Sequence, residues 1–190
     1  MFGVNDAIIK RQNKNGGNFM KQLKDYVRNI PDFPKKGIQF KDITTVLQDP
    51  EGLRLAVTSL QKDLVDMDFD LVVAPESRGF IFGVPIAFNT NTGFVPVRKV
   101  GKLPYETIQE TYDLEYGSAT IEIHKDAIKK GQRVVIVDDL LATGGTMQAI
   151  INLVEKLGGE VVKICFLIEL QDLKGRELLK GYDISSSIVY

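Results

Sequence analysis

Two adjacent carboxylates, Asp138 and Asp139, are followed at once by Leu140-Leu141 and then by the run Ala142-Thr143-Gly144-Gly145-Thr146. Adjacent glycines let consecutive backbone N–H groups turn toward one point, and Thr143 and Thr146 add hydroxyl donors. With the positive end of a helix dipole behind it, such a turn cradles a phosphate monoester. The acid pair stands where the hydroxyls of a phosphorylated sugar would lie, and hydroxyl donors pair well with carboxylate acceptors. Taken singly, the acid pair can be a turn cap and the Thr-Gly-Gly-Thr run a simple turn. Their combination with an apolar strand before and an amphipathic helix after points to a ligand. Other phosphate signatures fit worse: no G-x-G-x-x-G follows a strand, and Gly101-Lys102 has Pro96 where a P-loop needs its first glycine.

Flanking elements must hold that turn. Val134, Val135, Ile136 and Val137 predict a buried strand over 133–137, and Met147, Ile150, Ile151, Val154 and Leu157 predict the helix after it, closed by Gly158-Gly159. The alternation recurs along the chain. Asp49 and Pro50 supply an N-cap and a first-turn proline for a helix whose stripe is Leu53, Ala56, Val57, Leu60 and Leu64. Residues 71–74 predict a short buried strand, 78–88 a buried helix kinked around Gly79, Gly83 and Pro85, 94–97 a strand, and 161–170 a central strand. Ala119, Ile121 and Ile123 alternate with Thr120, Glu122 and His124, which predicts a strand with one buried face and the latter three on its polar face. Polar residues 98–116 predict a loop or exposed hairpin. Phe19, Leu23, Val27 and Ile30 predict a short amphipathic helix ended by Pro31 and Pro34. The fold class expected is α/β, a mainly parallel sheet flanked by helices, with ligands beyond the carboxyl ends of the strands.

With 190 residues, 44% of them hydrophobic, the chain suffices for one domain, expected over 19–190. Residues 1–18, crowded with Asn13, Asn15, Gly16, Gly17 and Asn18, are expected to be a mobile tail. A formal net charge of -1 leaves no global positive field for nucleic acid or an anionic membrane. No apolar run approaches the roughly 18 residues of a membrane span, so a cytoplasmic location is expected. One cysteine, Cys165, excludes an intrachain disulfide and a cysteine-based metal site. A single histidine, His124, excludes multi-histidine zinc sites and argues against a Ser/His/Asp triad.

VVIVDDLLATGGT resembles the phosphoribosyl diphosphate motif of type I phosphoribosyltransferases. Ala142 stands where members acting on 6-oxopurines carry an acid, which makes the sequence similar to the adenine-specific branch. IPDFPKKGIQFKDIT, PESRGFIFG, VRKVGKLP, YDLEYGS and LKGRE extend the resemblance from residue 30 to about 175. It implies a type I phosphoribosyltransferase fold with a flexible hood loop, joining adenine to phosphoribosyl diphosphate with release of AMP and pyrophosphate. It further implies Mg²⁺ carried with phosphoribosyl diphosphate, no dedicated protein ligands for that metal, and a homodimer in purine salvage.

The same resemblance assigns residues. Asp138, Asp139, Ala142, Thr143, Gly144, Gly145 and Thr146 hold the phosphoribosyl group. The diphosphate falls to the turn Glu76-Ser77-Arg78, where a cis peptide is expected, and to Arg98, Lys99 and Lys102, which by themselves read as a solvated basic cluster. Phe40 stacks on adenine, while the backbone at Gln39, with Arg78, reads its amino edge. Glu115, in the triplet Leu114-Glu115-Tyr116, takes the proton that adenine loses; Glu106 and Glu110 on the same stretch read as solvated charges. Two other readings remain. A regulator sensing phosphoribosyl diphosphate would need a DNA-binding segment, and residues 1–18 carry no helix-turn-helix pattern. An enzyme of the same fold for another base is disfavoured by Ala142 and the LEYG match.

Overall fold

The computed structural model describes residues 21–113 and 117–190; the segment expected as a tail and the Leu114-Glu115-Tyr116 triplet lie outside the described residues. A seven-stranded sheet organises the rest. Its parallel part runs in the order β4 (Gly93–Lys99), β3 (Leu71–Pro75), β7 (Arg133–Leu141), β8 (Glu160–Glu169), β9 (Ile184–Val189). Beyond β4 it continues antiparallel through β6 (Ser118–His124) to β5 (Thr107–Asp113).

Side chains on β7 alternate between two cores, as a strand covered on both faces requires. Val134 and Ile136 pack with Met147, Ile150, Ile151 and Val154 of α4 (Gly145–Lys156). Val135 and Val137 pack on the other side with Val46 of α1 (Thr44–Gln48), Ala56 and Leu60 of α2 (Pro50–Lys62), and Phe82 and Ile86 of α3 (Arg78–Thr90). Asp49 caps α2 as expected, its side chain accepting from the amides of Glu51 and Gly52 at 2.9 and 3.0 Å.

Several expectations need correction. Where a helix is expected over 19–30, the described residues form only a 3₁₀ turn, Leu23–Tyr26, followed by strand β1 (Arg28–Pro31). Ile30 faces Phe40 across a two-stranded antiparallel sheet with β2 (Gln39–Asp42), and this pairing overrides a stripe of four apolar residues. Helix α3 is buried at Phe82, Gly83 and Ile86 but leaves Ile81, Val84 and Phe88 exposed along one side. Strand β8 is one in from the edge, because β9 pairs on its outer side. Strand β7 continues past Val137 to Leu141, so the acid pair rides on the strand itself. Glu122, expected on a polar face, is 3% exposed, and Glu110, expected in solvent, is held by Asn152 at 2.8 Å and by Lys156 of α4. Glu106 does stay exposed, beside Lys125.

Candidate active site

At the carboxyl ends of β3 and β7 lies a cavity of about 300 Å³. The turn after β3, the end of β7 and the loop entering α4 form its walls, with Tyr112 from the β5 strand and Phe166 completing them. The acid pair, the Glu76-Ser77-Arg78 turn and the Ala142-to-Thr146 run thus meet around one space.

Asp139 carries its carboxylate 2.9 Å from Nε of Arg78, with its side chain only 5% exposed. Asp138 accepts the Asp139 backbone N–H at 2.8 Å. Poor hydration pushes the proton affinity of both up, and the charge of Asp139 pushes that of Asp138 further. A pair of this kind gains from hydroxyl donors or a cation brought by a ligand.

Gly144 caps α4 with φ of 90°, a left-handed conformation suited to glycine. Helix geometry leaves the first amides of α4 without partners inside the helix. The loop is buttressed by α5 (Gly175–Leu178): a Cβ on Gly175 would lie 2.3 Å from the Ala142 carbonyl oxygen. Arg176 beside it is fixed to Glu169 by paired hydrogen bonds of 2.8 Å. Thr146 donates to the Tyr112 hydroxyl at 3.1 Å, which ties the hood stem to the cradle. Tyr112 opens the YDLEYGS match and Arg176 belongs to LKGRE, but neither motif assigns them a role; both reach the cradle only through tertiary contacts.

The turn after β3 contains the expected cis peptide, Glu76–Ser77. The Glu76 amide already donates to the Val97 carbonyl at 2.8 Å, so the turn's available donors begin at Ser77. The Glu76 carboxylate faces the basic loop, accepting from Arg98 Nε at 2.7 Å and from the Lys99 amide at 3.0 Å. Burial works against its charge, but the Lys99 amide and the Arg98 guanidinium outweigh that and hold its pKa below the ordinary value. Arg98, Lys99 and Lys102 lie beyond Glu76 and do not line the cavity; Lys99 and Lys102 are exposed.

Gln39 and Phe40 lie on the separate β1–β2 hairpin and do not line the cavity either. Phe40 meets Phe33 edge to face at 5.1 Å, and the Gln39 side chain is held by Asn29 at 2.6 Å. Lys41 fastens the hairpin to the body, its ammonium 3.9 Å from the Tyr190 ring. Glu115 lies outside the described residues. Among the described residues no three His, Cys, Asp or Glu side chains cluster as a metal site would require, and no helix is long and apolar enough to cross a membrane.

Comparison with known proteins adds to this geometry. Residues 44–188 match the phosphoribosyl transferase domain family. Adenine phosphoribosyltransferase of Lachnoclostridium phytofermentans is 64% identical over 171 residues, 90% of this chain and 98% of that protein. Its counterpart from Agathobacter rectalis is 61% identical over the same shares. The crystal structure of adenine phosphoribosyltransferase from Thermoanaerobacter pseudethanolicus matches with a TM-score of 0.86 at 58% identity, covering 88% of this chain and 98% of that one. The Saccharomyces cerevisiae structure, complexed with an imino-altritol bisphosphate and adenine, matches with a TM-score of 0.82 at 40% identity, covering 87% and 96%.

Proposed function

The chain belongs to the adenine phosphoribosyltransferases, purine-salvage enzymes of the phosphoribosyl transferase family, and from that premise we propose how its cavity divides the work. The reaction joins adenine to the anomeric carbon of phosphoribosyl diphosphate and releases AMP and pyrophosphate. One observation carries the assignment of roles: acid pair, Arg78 turn and Gly-Gly cradle enclose a single cavity.

Thr143, Gly144, Gly145 and Thr146 bind the 5-phosphate through backbone N–H groups and hydroxyls at the α4 terminus, with Ala142 leading into the loop. Asp138 and Asp139 accept the ribose hydroxyls and stabilise positive charge as it builds on the sugar. Ser77 and Arg78 receive the departing diphosphate, with the cations of the 98–102 loop closing from beyond Glu76. Adenine stacks on the Phe40 ring, while the backbone at Gln39, with Arg78, reads its amino edge, so the β1–β2 hairpin supplies the base subsite beside the cavity. Glu115 removes the imidazole proton as the glycosidic bond forms. The hood excludes water, which would otherwise capture the activated sugar.

Mg²⁺ fits this site as an ion borne by the substrate. Three carboxylates line the described cavity, but Asp139 is already on Arg78 and Glu76 on Arg98, and among the described residues no three such groups cluster as a resident site requires. When bound, the ion neutralises charge on the diphosphate leaving group. The enzyme acts in the cytoplasm as a homodimer, and the exposed apolar side of α3, with Ile81, Val84 and Phe88, supports such an interface.

Incubation with Mg²⁺, phosphoribosyl diphosphate and each nucleobase in turn tests the reading. AMP from adenine is the expected product. A preference for hypoxanthine or guanine would overturn the assignment of the base pocket.

A further inference from the structure

Glu122 has no part in the roles above, yet it is 3% exposed and surrounded by donors. Its Oε1 accepts the amides of Lys102 and Leu103, each at 3.0 Å, and its Oε2 accepts the Thr107 hydroxyl at 3.2 Å. Gly101, with φ of 82°, starts the turn that aims these consecutive amides inward. The carboxylate therefore sits inside a loop whose lysines face out. Burial alone would favour its protonated form, but the Leu103, Lys102 and Gly101 amides with the Thr107 hydroxyl hold its pKa low.

From Glu122 a continuous path of hydrogen bonds runs to the cavity wall. Arg98, directly opposite Glu122 in the β4–β6 register, donates to the Lys102 carbonyl at 3.3 Å and to Glu76 at 2.7 Å, and Glu76 also receives the Lys99 amide. Glu76 itself lines the cavity. We propose that Glu122 is a positioning residue for the diphosphate subsite: as a buried anion it folds the 99–103 loop around itself and so aims Lys99 and Lys102 at the leaving group. The inference rests on the reading of the site given above.

Steady-state kinetics of Glu122→Gln provide the test. The side chain keeps its size but loses the charge that orders the amides. Replacing charge-assisted by neutral hydrogen bonds should raise KM for phosphoribosyl diphosphate about tenfold, leave kcat within about threefold and leave KM for adenine within about twofold. Pyrophosphate binding measured by calorimetry should weaken by about the same tenfold. The proposal is overturned if KM for phosphoribosyl diphosphate and pyrophosphate affinity stay within about twofold of wild type, or if both KM values rise together, since general loosening would affect both substrates. Should Glu122→Gln fail to fold, Glu122→Asp decides by the same measurements. It retains the charge one methylene further from the amides and should show a smaller shift, about threefold, in the same constant alone. A wild-type protein inactive with adenine would overturn the reading of function, whereas pyrophosphate affinity would still decide the role of Glu122.

Discussion

Two carboxylates side by side on a poorly hydrated strand end work against the fold and for the ligand. A carboxyl whose folded-state pKa is raised stabilises the fold only when protonated: that contribution is present below the unfolded value near 4 and is lost as pH rises through the folded value. Asp138→Asn should therefore be more heat-stable than wild type at pH 8, by about 2–4 °C, with the gain shrinking toward zero near pH 4 in a melting series. Asp138→Asn combined with Asp139→Asn should keep the fold but lose at least about tenfold in kcat/KM, because each lost charge-assisted hydrogen bond is worth roughly 1.5–3 kcal/mol. Glu115→Gln should lower kcat by about 100 to 10,000-fold with little change in phosphoribosyl diphosphate binding, while Glu106→Gln stays mild in the same initial-rate assay. What was readable at this scale was contiguous in the chain. Asp138 through Thr146 declare themselves because strand, acid pair, glycines and helix follow one another. Glu122 was hidden because its alternation pattern marks a solvent face, and only a loop folding back from residues 101–103 covers it. The same holds for Glu110, whose partners are on α4.

Element by element, the chain divides into parts that support the site and parts that touch it. Asp49→Ala removes the α2 cap far from the cavity and should cost about 1 kcal/mol in denaturant unfolding while leaving kcat and both KM values unchanged. Gly175→Ala acts on the cradle. Its methyl would lie 2.3 Å from the Ala142 carbonyl oxygen and 2.7 Å from Leu141 Cδ1, so the backbone behind the 142–146 loop must shift. A loss of about 1–3 kcal/mol in stability and a higher KM for phosphoribosyl diphosphate should appear together. Strands buried on both faces, β3, β7 and β8, were legible because their apolar runs need no partner to be recognised. The 19–30 stripe misled because four apolar residues at helical spacing carry little energy beside the pairing of β1 with β2. β9, with its run Ser185-Ser186-Ser187, lacks an apolar signature and is a strand because β8 offers it an edge.

For the molecule as a whole, the proposed dimer contact and the proposed diphosphate subsite fall on one helix. α3 begins at Arg78 in the cavity wall and presents Ile81, Val84 and Phe88 outward, with Phe88 85% exposed. If α3 carries the proposed dimer contact, Phe88→Asp should shift the sedimentation coefficient from dimer to monomer and lower activity, because loss of that contact frees the helix that carries Arg78. An unchanged coefficient would move the contact elsewhere. Cys165 offers a different view of the whole. Fully buried on β8, with burial pushing its thiol up to about 11, it should not react with alkylating reagents while the sheet is closed. It is the only thiol in the chain. Every alkylation event therefore records one opening of the sheet, and the labelling rate is a clock for that opening without any introduced probe. Ligands that bind the closed form slow the clock in proportion to 1 + [L]/Kd. Timed alkylation read by mass would thus rank nucleobases and phosphoribosyl compounds by affinity on unmodified protein, with no turnover required.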